Sequence, residues 1–333
     1  MRIGVTYDLR ADYLAMGMSE EESAEFDVEV TIAGIVNALA ALGHEPVRIG
    51  NIRALAPRLV AGERWDAVFN ICEGLSGYGR EAQVPGLLDA YKIPHVFSDA
   101  LTLALCLDKG WTKSIVRSAG VPTPDFATIE GPGDIAKIAL PFPLFLKPVA
   151  EGSGKGVNAR SKVSTPAELK SVATELLARF RQPVLVETYL PGREFTVGIV
   201  GTGNEARALG VMEIIPTDKA AGVDYSFENK ERCDDNIAYR LIDDMEARGA
   251  ADVAVRAWRA LRCRDGGRID IRCDPKGDPQ FIEVNPLAGL NPEHSDLCFI
   301  ARFAGLAYQE LIGLIMTSFL RRHPELNSRR AAA

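Results

Sequence analysis

The sequence lacks several features that would place it outside the ordinary intracellular proteins. None of its six cysteines forms a Cys-x-x-Cys pair, and no apolar run reaches the roughly 18 residues that a membrane-spanning helix needs. The start, Met1-Arg-Ile-Gly-Val, lacks the long apolar region of a signal peptide. We therefore expect a cytoplasmic protein without a membrane partner, whose cysteines are free and mostly buried thiols.

An excess of positive charge is also missing. Lys and Arg number 38 against 45 Asp and Glu, which gives a net charge of −7, whereas a general nucleic-acid binder carries a basic face. We expect no nucleic-acid partner, although a local basic pocket for a polyphosphate is compatible with this balance. The 333 residues, 47% of them hydrophobic, suffice for two or three domains with their own cores.

Three familiar catalytic or nucleotide-binding motifs are absent. Gly154-Lys155 lacks the earlier glycine of a Walker A loop and the Ser or Thr that follows its lysine. The glycine spacing around it also differs from the dinucleotide-binding fingerprint. Asn291–Asp296 contains a histidine and a serine, but without a Gly-x-Ser-x-Gly elbow the sequence argues against a serine hydrolase.

The hydrophobic pattern predicts an α/β protein. In the first part, strands alternate with helices in the order typical of a parallel sheet covered by helices, with strands at 2–7, 45–49, 65–71 and 95–97 and helices at 28–42, 54–61 and 86–91. The polar, acidic segment 8–25 predicts a loop or lid. Beyond residue 98 the predicted helices are 101–119, 167–178, 247–261 and 308–320, and the predicted strands are 144–147, 184–187, 194–200, 208–214, 267–273 and 280–286.

This change of pattern predicts three domains and a tail. The domains span residues 1–97, 98–188 and 189–322, and the Ala-rich tail 323–333 is expected to be disordered. A long polar loop at 216–236 lies within the third domain, and loops of that length in compact domains are often lids.

The two acidic strands carry the clearest chemical signal. Alternation along a strand places Arg268 and Asp270 on one face, and Glu283 and Asn285 on one face of the next strand. If the two strands pair as a hairpin, two carboxylates and an amide oxygen converge in a site that suits Mg²⁺. The alternative is a half-exposed hairpin whose polar residues face water.

Lysines and glycines indicate a phosphate site. Lys147 ends a strand and is followed by the glycine-rich loop 151–156, whose backbone N–H groups can approach phosphate oxygens; a plain glycine-rich turn is the alternative. The bend between Glu187 and Glu194 can hold a nucleotide's base and ribose, or be a surface connection. Lys109 and Lys113 lie on a predicted helix, where a solvated face is the alternative.

Together these segments resemble the ATP-grasp superfamily, and most closely the D-alanine–D-alanine ligase family. The resemblance covers nearly the whole chain. Its motifs are Leu-Asp-Lys109, Lys147-Pro-x-x-Glu-Gly-Ser153, Glu187-x-x-Leu190-x-Gly-x-Glu194-Phe, Gly-Arg268-Ile-Asp270 and Glu283-Val-Asn285-Pro. It implies three α/β domains, with ATP held between the central and C-terminal domains. It also implies a homodimer that acts on small amino acids and joins a carboxylate to an amine through an acyl phosphate.

The resemblance also implies a role for each matching residue. Lys109, Lys147 and the lid lysine Lys230 bind the phosphates of ATP, while Glu187, Leu190 and Glu194 line its adenine and ribose site. Asp270, Glu283 and Asn285 hold two Mg²⁺ ions, for which Mn²⁺ is an alternative. Arg268 and the backbone of Gly289 stabilise the acyl phosphate and the tetrahedral intermediate. Ser153 belongs to the glycine loop, and Ser295 to the site for the second substrate's carboxylate.

Three positions depart from the family pattern. Glu25 is the nearest candidate for the glutamate that holds the first substrate's amine, with Asp27 and Glu29 as alternatives; Glu73 replaces a histidine, and Glu231 a tyrosine. Because these positions concern amino-acid recognition, the substrates stay open between D-alanine and another acid–amine pair, as in mycosporine-type ligases. A regulatory module without catalysis is disfavoured by the intact ATP and metal motifs.

Overall fold

A parallel sheet opens the fold. The computed structural model describes residues 1–152, 154–216 and 237–326, and within these it contains three sheets. In the first, β1 (Arg2–Tyr7) lies between β2 (Glu45–Gly50) and β3 (Ala67–Ile71) and is parallel to both. The parallel sheet predicted from the alternating strands and helices is therefore confirmed.

The helices of this part are α1 (Arg10–Ala15), α2 (Glu29–Ala41), α3 (Ile52–Val60) and α4 (Gln83–Ala90). The segment 8–25 was predicted as a loop or lid, but its first part contains the helix α1. This helix packs against the protein through Tyr13, which is buried and donates a hydrogen bond to Asp8. The predicted strand 95–97 is also wrong: His95 makes an isolated bridge to Val68.

The predicted helix 101–119 is broken at Asp108. It forms α5 (Ala100–Leu107) and α6 (Lys109–Ser118), and the side chain of Asp108 accepts a hydrogen bond from the backbone N–H of Trp111 at the start of α6. Asp108 has a ψ of 101°, which ends one helix while its carboxylate caps the next. This break places Lys109 at the first position of α6.

A four-stranded antiparallel sheet follows. It contains β4 (Phe126–Ile129), β5 (Leu144–Pro148), β6 (Lys162–Val163) and β7 (Val184–Thr188) in the order β4-β7-β5-β6. Helix α7 (Pro166–Phe180) packs on this sheet through Leu169, Ala173 and Leu176. β4 was not among the predicted strands, because four residues are too few to show alternation.

The third sheet is antiparallel and holds the acidic hairpin. Its strands are β8 (Glu194–Val200), β9 (Arg207–Pro216), β10 (Ile237–Ile242), β11 (Gly266–Cys273) and β12 (Pro279–Asn285), in the order β10-β9-β8-β11-β12. Helix α8 (Met245–Ala260) covers one face with the buried Trp258. The sequence pattern did not predict β10. The predicted polar loop 216–236 lies outside the described residues from residue 217 onward.

Two helices, α9 (Asp296–Phe303) and α10 (Tyr308–Arg322), complete the described chain, and α9 was not predicted. α10 returns to the first sheet, where Ile315 and Phe319 share a core with Ile3 and Phe69. Leu326 lies in the same core, so the predicted disordered tail is wrong for its first residues.

No described helix by itself has both the length and the apolar composition to cross a membrane; α9 and α10 reach them only as a pair that is bent by 108°.

Asp265, just before β11, ties distant parts of the chain together. Its fully buried carboxylate accepts hydrogen bonds from the backbone N–H of Phe97 (2.8 Å), from Ser318 of α10 (2.9 Å) and from the guanidinium of Arg322 (2.6 Å). One buried carboxylate therefore connects Phe97, which follows the first sheet in sequence, to helix α10.

We expect Asp265→Ala to lower the free energy of unfolding by about 3–5 kcal/mol, because it leaves the Arg322 guanidinium without its buried partner. Urea unfolding followed by circular dichroism measures this change. Asp252→Ala is the control, since its pair with Arg256 on α8 is exposed and such pairs contribute about 1 kcal/mol or less. Equal losses in the two variants would contradict the assigned role of Asp265.

Candidate active site

The acidic hairpin brings its oxygen donors together. In the β11–β12 register Asp270 lies opposite Glu283 and Arg268 lies opposite Asn285, so the predicted convergence is present. Asp270 accepts a hydrogen bond from Thr196 of β8 at 2.9 Å and two from Arg268 at 2.6 and 2.8 Å. The hairpin therefore presents these carboxylates on the face that lies toward β5 and β7 of the four-stranded sheet.

These donors fit a divalent cation. Two carboxylates and an amide form the hard-oxygen set that Mg²⁺ takes, with further ligands left to phosphates and water. The buried side-chain nitrogen of Asn285 has no hydrogen-bond partner among the described residues, so the amide is not locked into one orientation and its oxygen is available as a ligand.

A chain of alternating charges crosses from α6 to the hairpin. Lys113 is fully buried, pairs with Glu187 of β7 and donates to the carbonyl of Phe281 at 3.1 Å. Lys147 of β5 lies 3.2 Å from Glu187 and 3.4 Å from Glu283. These contacts rule out a solvated helix face for Lys113. Lys109 is also largely buried and donates a hydrogen bond to the carbonyl of Glu151 at 2.6 Å, so it does not lie on a solvated face either.

The electrostatics of this chain follow from its burial. Burial lowers the pKa of Lys113 to about 8. Burial also opposes ionisation of Glu187, but Lys113 and Lys147 outweigh it and hold the pKa of that carboxyl below its usual value. Glu187 therefore stabilises the charged form of each lysine and is kept charged by both, while the charge of Lys147 disfavours that of Lys113.

Five of the six residues predicted to hold the nucleotide line one cleft. It lies between β5 and β7 on one side and β8, β11 and β12 on the other, and it is lined by Lys109, Lys147, Glu187, Leu190 and Glu194. The bend at 190–194 is pressed against β11: a Cβ at Gly192 would lie 2.6 Å from the carbonyl oxygen of Cys273. This contact explains the glycine and excludes a loose surface connection.

A cavity of about 710 Å³ adjoins the hairpin. Its lining includes the remaining predicted residues, Arg268, Gly289, Ser295, Glu25 and Glu73. The Ser295 hydroxyl, at the start of α9, accepts a hydrogen bond from the backbone N–H of Asn291 at 2.9 Å. Asp27 also lines the cavity, whereas Glu29 is exposed and pairs with Arg48, so Glu29 is excluded as a substrate contact.

Glu25 is already paired within the protein. Its carboxylate lies 3.2 Å from Arg80 and 3.4 Å from Lys155, and it accepts a hydrogen bond from the backbone N–H of Gly152 at 2.7 Å. Burial opposes ionisation, yet Arg80 and Lys155 keep the pKa of Glu25 below its usual value. Sequence reasoning missed Arg80, which sits in a short segment that carries no recognisable motif.

Two predicted site residues, Ser153 and Lys230, lie outside the described residues, as does Glu231. Their roles stay predictions, as do the roles of the residues that the structure does place.

The chain is similar to D-alanine–D-alanine ligases over most of its length. Residues 115–317 match the family described as "D-ala D-ala ligase C-terminus". The D-alanine–D-alanine ligase of Aquifex aeolicus is 33% identical over 311 residues, which are 93% of this chain and 100% of that protein. That of Bordetella pertussis is 37% identical over 268 residues, 79% of this chain and 81% of that protein.

The chain belongs to the D-alanine–D-alanine ligase family. Members of this family are ATP-dependent ligases of the acid–amino-acid class, which implies ATP and a divalent metal ion.

Solved structures agree on the fold. The Bacillus anthracis D-alanine–D-alanine ligase complexed with ATP matches with a TM-score of 0.73 at 24% identity, covering 98% of this chain and 99% of that one. The VanG D-Ala:D-Ser ligase of Enterococcus faecalis matches with a TM-score of 0.72 at 21% identity, covering 96% and 99%. The predicted ATP-grasp α/β fold is therefore confirmed.

In this family member the cavity wall near Glu25 holds further carboxyls. Burial raises the pKa of Asp27 to about 7 and that of Glu81 to about 7. Burial, followed by the charges of Glu81 and Glu25, also raises the pKa of Glu73. The wall is therefore acidic and carries carboxyls that resist ionisation.

The raised pKa of Glu81 predicts a pH-dependent stability. Between its ordinary pKa of 4.5 and about 7, the folded state binds more protons than the unfolded state, so stability is lost as pH rises through 7. We expect Glu81→Gln, which is uncharged throughout, to raise the free energy of unfolding by about 1–3 kcal/mol at pH 8 and by much less at pH 5.

Urea unfolding at the two pH values measures this difference. Glu45→Gln is the matched control, because Glu45 is exposed on β2 and surface changes usually stay within about 0.5 kcal/mol. If Glu81→Gln lowers stability at pH 8, Glu81 is held by contacts that favour its charged form and the prediction is wrong.

Proposed function

We propose that this family member joins the carboxylate of one small amino acid to the amine of a second, with D-alanine, the amino acid named in its relatives, as the reference substrate. One observation carries the proposal: the oxygen donors Asp270, Glu283 and Asn285 lie beside buried lysines, where the cleft that Asp270 lines meets the cavity that Glu283 and Asn285 line. We further propose two Mg²⁺ ions, with Mn²⁺ as an alternative, a cytoplasmic homodimer, and the domain division 1–97, 98–188 and 189–322.

The reaction needs carboxylate activation. A carboxylate is a poor electrophile, so its oxygen first takes the γ-phosphoryl group of ATP, giving ADP and an acyl phosphate. The amine nitrogen then attacks the acyl carbon, the carbon–oxygen bond to phosphate breaks, and amide, phosphate and a proton are released. Bound divalent ions neutralise charge on the phosphates.

The protein's own cations supply the rest of the electrostatic stabilisation. Lys109 and Lys147 lie where the nucleotide cleft meets the hairpin, and in our proposal they hold the phosphates. Arg268, whose guanidinium is kept in place by Asp270 and lies 3.6 Å from Asp296, stabilises the acyl phosphate and the oxyanion. Preorganised donors of this kind usually contribute the largest share of catalysis.

The start of α9 suits the second substrate. Ser295 precedes the helix, and Gly289 lies so close that an added Cβ would be 2.8 Å from the Ser295 hydroxyl. Backbone N–H groups at a helix N-terminus attract a carboxylate. We therefore assign the carboxylate of the amine-donating amino acid to this end of the cavity.

A second candidate is a ligase for a different acid and amine, of the kind used in natural-product assembly. It is favoured by the first-substrate end of the cavity, where Glu25 is paired with Arg80 and Glu73 replaces the family's histidine.

ADP release decides between the two functions. We expect ATP, Mg²⁺ and D-alanine to yield ADP and a dipeptide in equal amounts, detected by a coupled assay and mass spectrometry. Turnover with other amino acids but none with D-alanine would support the second candidate. No ADP release with any amino-acid pair, from folded protein, would refute both.

We expect Glu283→Gln to lower kcat for ADP release by at least about 100-fold, the order of loss typical when an electrostatic catalytic group is removed. Circular dichroism should show the parent fold, because Glu283 faces the cleft and not a core. The control is Asp278→Asn in the exposed turn of the same hairpin, which should leave kcat unchanged. Near-parent turnover of the Gln variant would remove Glu283 from the metal site.

A further inference from the structure

The first-substrate end of the cavity contains more carboxylates than one amino acid requires. Asp27, Glu73 and Glu81 come from three separate segments and all line the cavity. Glu81 is the most informative of them: it is only 9% exposed, and its side chain makes no hydrogen bond or ion pair with the described residues. A buried carboxylate without a partner is costly unless a ligand pairs with it.

The nearby cations make their direct contacts elsewhere, although the charge of Arg80 also acts on Glu81 and Glu73. Arg80 and Lys155 pair with Glu25, Arg80 also donates to the carbonyl of Ala150 at 2.9 Å, and Arg10 pairs with Glu20 at 2.7 Å. Lys109 donates to the Glu151 carbonyl and acts on Glu81 only at longer range. The protein therefore leaves this wall with more carboxyls than cations, and a bound cation would stabilise their charged forms.

The wall suits an organic cation better than a metal ion. Among residues 1–152, 154–216 and 237–326, no three or more His, Cys, Asp or Glu side chains are placed to hold a metal. An ammonium group tolerates a looser arrangement, since its N–H bonds reach separate carboxylate oxygens at about 2.7–3.2 Å, whereas metal–oxygen bonds are about 2.0–2.6 Å. Its hydrogen bonds to carboxylates are also charge-assisted and strong.

A single α-ammonium does not account for the wall. It can pair with one or two carboxylates, whereas Asp27, Glu73 and Glu81 are three, in addition to Glu25. We propose that the wall also binds an ammonium group on the side chain of the first amino acid, so that the first substrate is a diamino acid of the lysine or ornithine type. This inference rests on the proposed ligase function and favours its second candidate, since D-alanine is then a poorer first substrate than the diamino acid.

Matched substrate pairs test the inference. ADP release is measured with lysine against norleucine and with ornithine against norvaline, each in both configurations and with D-alanine as the amine. The neutral member of each pair keeps the chain length and lacks the side-chain ammonium. We expect the charged member to have a kcat/KM at least about tenfold higher, the effect of about one charge-assisted hydrogen bond.

Variants test whether this wall is responsible. Glu73→Gln and Glu81→Gln should each reduce the preference for the charged member about tenfold, with the KM for ATP unchanged. Glu45→Gln, on the exposed face of β2, should keep the parent preference. Isothermal titration with lysine and norleucine, without ATP, gives the same comparison for variants that turn over slowly.

The outcomes separate the inference from the proposed function. If D-alanine and norleucine are used as well as lysine, the ligase function stands and the diamino-acid inference is wrong. A charged preference that survives in both variants would place its recognition elsewhere. No ADP release with any amino acid would instead overturn the proposed function.

Discussion

The arrangement of the site depends on one buried carboxylate, Glu187, held between two lysines. Lys113 comes from α6, Lys147 from β5 and Glu187 from β7, and Lys147 continues the chain to Glu283 on β12. Buried charges are stable only when each is paired and hydrogen-bonded. This requirement joins a helix, the central sheet and the acidic hairpin at one place, beside the cleft where we propose that the nucleotide binds.

Charge is distributed unevenly along the cavity as a result. Around the hairpin, lysines and Arg268 balance the carboxylates, as suits a polyphosphate with its metal ions. At the other end, Arg80 and Lys155 lie closest to Glu25, and Glu73 and Glu81 have raised pKa values. In our proposals the two ends bind ligands of opposite charge, a difference that a family name alone does not convey.

Local sequence patterns predicted the hairpin well because alternation is a local property. Residues two apart on a strand share a face, so Arg268 with Asp270 and Glu283 with Asn285 follow from the sequence, and the observed register brings the two pairs together. The break at Asp108 was not predictable in the same way, since the apolar pattern runs through it and the cap forms only when its carboxylate turns to the N–H of Trp111. Short elements such as β4 carry too few residues for any periodicity.

What the sequence alone determined is the resemblance to a carboxylate-activating ligase, carried by ordered motifs that are predicted to hold phosphate, nucleotide and metal, each within a few consecutive residues. Only the tertiary structure decided the partners of those residues. Glu25 meets Arg80 and Lys155 across more than fifty positions of chain, and Glu81 becomes buried without a partner in a cavity that distant segments build. Pairing and burial depend on how segments far apart in sequence pack together, which no local pattern records.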